Sequence, residues 1–236
     1  MKSVTDLVRG MNDMRPLSIP IGVLAIVAAA FYVFFQIADE INEDEIADLD
    51  RRLLLAFRNP LDATDPLGPP WVEETITEIT SLGGYPILIV LIAAVVGYLV
   101  VVRKYGPALY VLLSVGVGTA LSQLLRSVYD RSRPDLVDHL VTTHTASFPS
   151  GHATMSTVVY LTLAALLVRI VEQMRVRLYV LGVAVLLSVA VGLSRIYLGV
   201  HWPSDVAAGW ALGVAWACLS WLTVSVLRSR RDSGQT

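Results

Sequence analysis

Three short clusters hold the side chains with the types and spacing for chemistry. Ser194 and Arg195 are followed after five residues by His201 and after three more by Asp205. A carboxylate three to four positions after a histidine accepts the proton of one imidazole nitrogen and leaves the other free to attack, which is how a histidine nucleophile is activated. Pro203 suits the first position of a helix beginning there. The same spacing also describes a helix-start aspartate beside an interfacial histidine. In Phe148-Pro149-Ser150-Gly151-His152, Ser150 is placed to cap a helix and Gly151 lets a ligand approach the backbone. The first-turn amides would then bind an anion, with His152 in that turn. A capped helix start with an incidental histidine reads the same way. In the run from Arg126 to Pro134, Arg126, Tyr129 and Arg133 share a face if the preceding helix continues, so two guanidinium forks can converge on one anion before Pro134 ends the helix. Taken alone, this run reads better as an Arg-rich flank snorkelling to headgroups.

Composition narrows what these clusters can serve. Of 236 residues, 55% are apolar and 16% charged, which is the balance of a membrane protein. A net charge of −2 gives no support to a nucleic-acid partner, which needs an excess of Lys and Arg clustered on one surface. Cys218 is the single cysteine and stands inside an apolar run, so it reads as a packed or lipid-facing thiol. His139 and His144 share a loop without nearby cysteine, and solvated loop histidines describe them better than a zinc pair. Neither a metal site nor a cofactor is expected. Polar residues within the apolar runs, such as Ser114, Thr119, Ser156, Thr157 and Ser188, read as helix-packing groups.

Six apolar runs must position the clusters: Ile19 to Ile37, Tyr85 to Val102, Ala108 to Leu125, Ala153 to Val171, Leu178 to Leu193 with extension to Arg195 or Ile196, and Val206 to Leu227. Each approaches the roughly 20 residues needed to cross a bilayer core. The first reads as an uncleaved anchor. The expected fold class is all-α, a six-transmembrane helix bundle with short interfacial helices between the first and second spans. It forms one domain over residues 1–236, with a cytoplasmic N-terminus (1–18), an outer interfacial segment (38–84) and a cytoplasmic tail (228–236). Orientation follows Lys2, Arg9, Arg15, Arg103, Lys104, Arg169, Arg175, Arg177, Arg228, Arg230 and Arg231, which all flank the same side. That side is cytoplasmic by the positive-inside bias, so both termini are inside and all three clusters outside. Between the first two spans, Asp39, Glu40, Glu43, Asp44, Glu45, Asp48 and Asp50 precede an apolar run and a helical pattern from Trp71 to Leu82. This reads as a solvated acidic connector with interfacial helices and no catalytic residue.

Together the clusters resemble the type 2 phosphatidic acid phosphatase superfamily, whose membrane lipid phosphatases are related to vanadium-dependent haloperoxidases. The family pattern is Lys, six residues, Arg-Pro; then Pro-Ser-Gly-His; then Ser-Arg, five residues, His, three residues, Asp. Ten of its eleven positions are matched here in order, with Arg126 standing in the lysine place. That departure keeps the charge but replaces a compact ammonium with a planar fork. The resemblance implies that Arg126, Arg133, Ser150, Gly151 and Arg195 hold phosphoryl oxygens and that His201 is the nucleophile. Asp205 would orient His201, and His152 would be the general acid and base. It implies a metal-independent lipid phosphate or pyrophosphate phosphatase working through phosphohistidine. Undecaprenyl pyrophosphate, phosphatidylglycerol phosphate and phosphatidic acid are candidate substrates at the outer face of a bacterial plasma membrane. A lipid phosphotransferase using the same histidine is the alternative, ahead of a non-enzymatic membrane protein. Six spans argue for a lipid substrate over haloperoxidase chemistry.

Overall fold

The computed structural model describes residues 15–42, 46–137, 139–141 and 145–233. The expectations placed on residues 1–14, including Lys2 and Arg9, on Glu43, Asp44, Glu45 and His144, and on residues 234–236 lie outside the described residues. In chain order the elements are α1 (Arg15–Asn42), α2 (Ala47–Leu55), β1 (Arg58–Asn59), β2 (Asp62–Pro66), α3 (Pro70–Ser81), α4 (Tyr85–Val101), α5 (Tyr105–Tyr129), α6 (Gly151–Ile170), α7 (Met174–Tyr197) and α8 (Pro203–Ser233). The protein is a helical multi-pass membrane protein, and its small antiparallel β1–β2 hairpin is an addition to the expected all-helical class.

Five helices are long and apolar enough to cross a bilayer: α1, α5, α6, α7 and α8. The sixth expected span is shorter, because α4 has 17 residues. It follows α3 across a break at Leu82–Gly84 with a bend of 44°, and the pair together meets the requirement for one span. Pro86 in the first turn of α4 needs no amide partner there, which makes the break a natural restart of the helix.

Half of the most apolar stretch of α6 is buried, against 17–33% for the other long helices, so α6 is the centre of the bundle. It packs on α5, α7 and α8, while α1 lies along α8 and α3 along α7. Close approach of α6 and α8 depends on Gly209 and Gly213, one turn apart. A Cβ on Gly209 would sit 2.9 Å from the Ser150 carbonyl oxygen, and one on Gly213 2.6 Å from Thr157 Cβ. Small residues at this spacing let two membrane helices meet backbone to backbone. Their contact brings the start of α6 against the start of α8, where the Ser150 amide donates to the Asp205 carbonyl at 3.0 Å.

Two expectations are corrected. Helix α5 ends at Tyr129 rather than at Pro134, because Asp130 takes a left-handed conformation (φ 40°) that turns the chain out of the helix. Arg126 and Arg133 therefore do not share a helix face. The acidic connector is also not uniformly solvated. Asp48 is exposed, but Asp50 on α2 is only 1% exposed and packs toward the start of α8.

Candidate active site

The last turn of α5, the first turn of α6, the end of α7, the Leu198–Trp202 loop and the first turn of α8 meet at one end of the bundle. His201 lies in that loop and is 2% exposed. Its Nε2 is 3.3 Å from Arg133 Nη1. A guanidinium only donates, so this contact requires an unprotonated Nε2 and places the ring hydrogen on Nδ1. On that side, Nδ1 faces Ser147 Oγ at 3.4 Å and Asp205 Oδ2 at 3.6 Å. The Ser147 hydroxyl donates a short hydrogen bond to the same Oδ2. Ser147 thus stands between the imidazole and the carboxylate, accepting from one and donating to the other.

Asp205 is completely buried, and its carboxylate is held by several donors. The Trp202 amide donates to Oδ2 at 2.9 Å and Arg131 Nη1 to Oδ1 at 2.7 Å. Arg131 Nη2 donates to Asp50 Oδ2 at 2.9 Å, and the Ser204 amide donates to Asp50 Oδ1 at 2.8 Å. The Ser204 hydroxyl also donates to Asp50. Burial pushes the His201 imidazole down to about 4, with the Arg133 and Arg195 charges acting in the same direction and Asp205 opposing them. The ring is therefore neutral near pH 7.

Beyond Nε2 lies a pocket lined by guanidinium groups. Arg133 is anchored by its Nε to the Thr145 carbonyl at 2.8 Å and by its Nη1 to the Val200 carbonyl at 2.5 Å. Burial, and next the Arg126 charge, hold it below the usual arginine range. Arg195 enters from the last turn of α7 and donates to Thr80 Oγ1 at 3.1 Å. Arg126 donates to Thr145 Oγ1 at 3.3 Å and rests on the bare Cα of Gly151, where a Cβ would lie 1.5 Å from Nη2. His152, half-buried in the same turn, feels the charges of Arg195, Arg126 and Arg133 and the neighbouring His201 ring.

Among the described residues, Arg126 Nε, Arg195 Nε and Ser150 Oγ are buried without a hydrogen-bond partner. Buried donors are nearly always satisfied, so three orphans around one pocket point to an acceptor-rich ligand. Ser150 precedes α6 as expected but makes no side-chain cap, which leaves its hydroxyl for that ligand. Three guanidiniums that feel one another's charge, with Asp205 already committed to Arg131 and the His201 side, make the pocket a strong anion site. Among the described residues, no three His, Cys, Asp or Glu side chains gather closely enough to hold a metal ion.

The structure thus brings together all eight expected site residues. His139 does not join them; it is exposed and bonds the Pro134 carbonyl at 2.7 Å. Sequence reasoning missed Asp50, Thr80, Arg131, Thr145, Ser147 and Ser204. Arg131 lay inside the first arginine run and Ser147 just ahead of Pro149, so proximity was a signal for both. Nothing in the sequence singled out Asp50 or Thr80.

A model of the PAP2 superfamily matches residues 107–229. Phosphatidylglycerophosphatase B of Bacillus subtilis is 36% identical over 148 residues, covering 61% of this chain and 71% of that protein. Decaprenylphosphoryl-5-phosphoribose phosphatase of Mycobacterium tuberculosis is 37% identical over 126 residues, covering 52% of this chain and 64% of its own. Among solved structures, the transmembrane PAP2-type phosphatidylglycerolphosphate phosphatase from Bacillus subtilis superposes with a TM-score of 0.74 at 31% identity. That match covers 82% of this chain and 93% of the other.

Proposed function

The chain belongs to the PAP2 superfamily and is a membrane lipid phosphatase, and from that premise we propose that it works through a phosphohistidine on His201 Nε2. The observation that supports this is the placement of a neutral Nε2 beside Arg133, near two further guanidiniums, Arg126 and Arg195, whose Nε donors are orphaned. The Nε2 lone pair attacks phosphorus in line with the leaving oxygen. The N–P bond forms as the P–O bond breaks, and His152 gives its proton to the departing alkoxide or phosphate. Arg126, Arg133, Arg195, Ser150 Oγ and the Gly151 amide hold the equatorial oxygens as their charge shifts. Asp205, directly and through Ser147, balances the positive charge that develops on the ring. Water then gives a proton to His152 and attacks phosphorus, releasing phosphate and restoring neutral His201. The three guanidiniums supply the charge that a divalent ion provides elsewhere, so the reaction proceeds without metal.

Phosphatidylglycerol phosphate is the first substrate to test, because the relatives that share most of the chain are phosphatases of that lipid. A polyprenyl phosphate or pyrophosphate is the second reading, favoured by the decaprenyl-linked relative. The site faces the outer side of the plasma membrane, with both termini inside, because Arg103, Lys104, Arg169, Arg175 and Arg177 flank the opposite helix ends.

The test is phosphate release in detergent with EDTA from phosphatidylglycerol phosphate, undecaprenyl pyrophosphate and phosphatidic acid. Wild type is expected to remain active, and His201→Ala to lose at least about 100-fold. Alkaline-quenched enzyme is expected to hold a phosphoryl group on His201, accumulating in His152→Ala. Full activity in His201→Ala would overturn the assignment, and turnover only with an added acceptor alcohol, the phosphoryl group ending on that alcohol instead of as free phosphate, would make the protein a transferase.

A further inference from the structure

The end of the bundle opposite the catalytic pocket has a cavity of about 850 Å³ between the C-terminal half of α4, the start of α5 and the C-terminal half of α6. This falls within the roughly 300–1,000 Å³ of ligand cavities. Its walls are apolar, with Leu91, Leu99, Leu163 and Leu166 among them, and among the described residues its charged lining consists of two cations, Lys104 and Arg169. Lys104 is exposed at the N-cap of α5, where the Tyr105 and Gly106 amides have no carbonyl of the helix within reach. Arg169, in the last turn of α6, is oriented by a 2.9 Å bond to Ser225 Oγ and by stacking on Trp221 at 5.7 Å. A hydrophobic furrow that opens to lipid and ends in two cations and a helix N-terminus matches an acyl chain joined to an anionic phosphate.

We propose that this furrow is a binding site for an anionic phospholipid of the leaflet opposite the catalytic pocket, with its phosphate between Lys104 and Arg169 and one acyl chain along α4 and α6. The assignment is independent of the reaction at His201, because none of these residues borders the arginine pocket. It makes α6 a shared wall, with catalytic groups at its N-terminal end and the lipid at its C-terminal end.

Native mass spectrometry of the detergent-purified full chain with added phosphatidylglycerol or phosphatidylcholine tests this. Wild type is expected to retain phosphatidylglycerol preferentially. Lys104→Glu reverses a charge at an exposed position and should lower that retention about tenfold to thirtyfold while sparing phosphatidylcholine. Ala94→Trp fills the furrow from an exposed wall position and should lower retention of both lipids. Hydrolysis of dioctanoyl phosphatidic acid, read in the same samples, is expected to stay unchanged. Three results would overturn the proposal: equal retention of the two lipids by wild type, unchanged phosphatidylglycerol retention in Lys104→Glu, or its loss in Arg126→Gln instead, which would place the lipid in the catalytic pocket.

Discussion

Arg131 Nη1 lies 2.7 Å from Asp205 Oδ1, and the same guanidinium reaches Asp50 Oδ2 at 2.9 Å. Two carboxylates that are 0% and 1% exposed are thereby compensated by one arginine, itself 16% exposed. The link ties an extramembrane helix, α2, to the residue that orients the His201 ring. Asp50 does not touch the arginine pocket, so its influence on the reaction runs through Arg131, Ser204 and Asp205.

A first prediction follows from that separation. Asp50→Ala leaves Arg131 Nη2 and the Ser204 amide without their acceptor while Arg131 keeps Asp205, and an orphaned buried donor costs about 1–3 kcal/mol. The unfolding midpoint in detergent should fall accordingly. In the milder Asp50→Asn, one acceptor oxygen is kept while the charge and the second acceptor are lost, so kcat should drop about tenfold with KM unchanged. A KM change of the same size would show instead that Asp50 shapes the substrate pocket.

The second prediction concerns pH. His201 is held at about 4 in the folded protein, against an ordinary value of 6.5. It stays neutral and nucleophilic well below the pH at which a solvated histidine is protonated, so the acid limb of kcat/KM set by this group should lie near 4. Arg133→Gln removes a positive neighbour and should move that limb toward higher pH. The unfolded chain binds more protons than the folded one between pH 6.5 and 4. His201's contribution to stability is therefore complete above 6.5 and lost as pH falls toward 4. Thermal unfolding across that window should be flatter in His201→Asn than in wild type.

Much of the site was legible because its residues lie close together along the chain. His201 and Asp205 sit on one loop-to-helix turn, and Ser150, Gly151 and His152 on one helix start, so spacing alone carried their relationship. The geometry of the arginines was less legible. Convergence of Arg126 and Arg133 needs the left-handed turn at Asp130, a conformation that no neighbouring glycine announced. Asp50 was illegible for another reason. Asp48 and Asp50 are chemically equivalent in a run of acids, and only the rotation of α2 against the start of α8 buries one and exposes the other. The spans were read from apolar length, which identified the five long helices but not the bend between α3 and α4, the pair that together makes up the length of a sixth.

The third prediction tests the departure of Arg126 from the family's lysine. Arg126 keeps Thr145 Oγ1 at 3.3 Å, and its buried Nε has no hydrogen-bond partner. Arg126→Lys retains the charge and gives up the fork, so phosphate binding should weaken by only about tenfold, the cost of one ordinary hydrogen bond. Arg126→Ala should cost much more. Phosphate inhibition constants for the two variants make the comparison without depending on the lipid tail.

Gly151 gives the fourth prediction. A methyl group there would lie 1.5 Å from Arg126 Nη2 and 2.6 Å from its Cζ, closer than a Cβ comes to any unbonded heavy atom. The obstructed group is the far end of a flexible side chain, so the backbone need not move and the guanidinium swings out instead. Gly151→Ala should therefore leave the unfolding midpoint nearly unchanged while reducing activity as much as Arg126→Ala does. Since both changes remove the same group from the pocket, the double variant should be no worse than either single one, a coupling far from additive. Additive losses would mean that Gly151 acts on the substrate separately, through its own amide, and that Arg126 tolerates the methyl group in place.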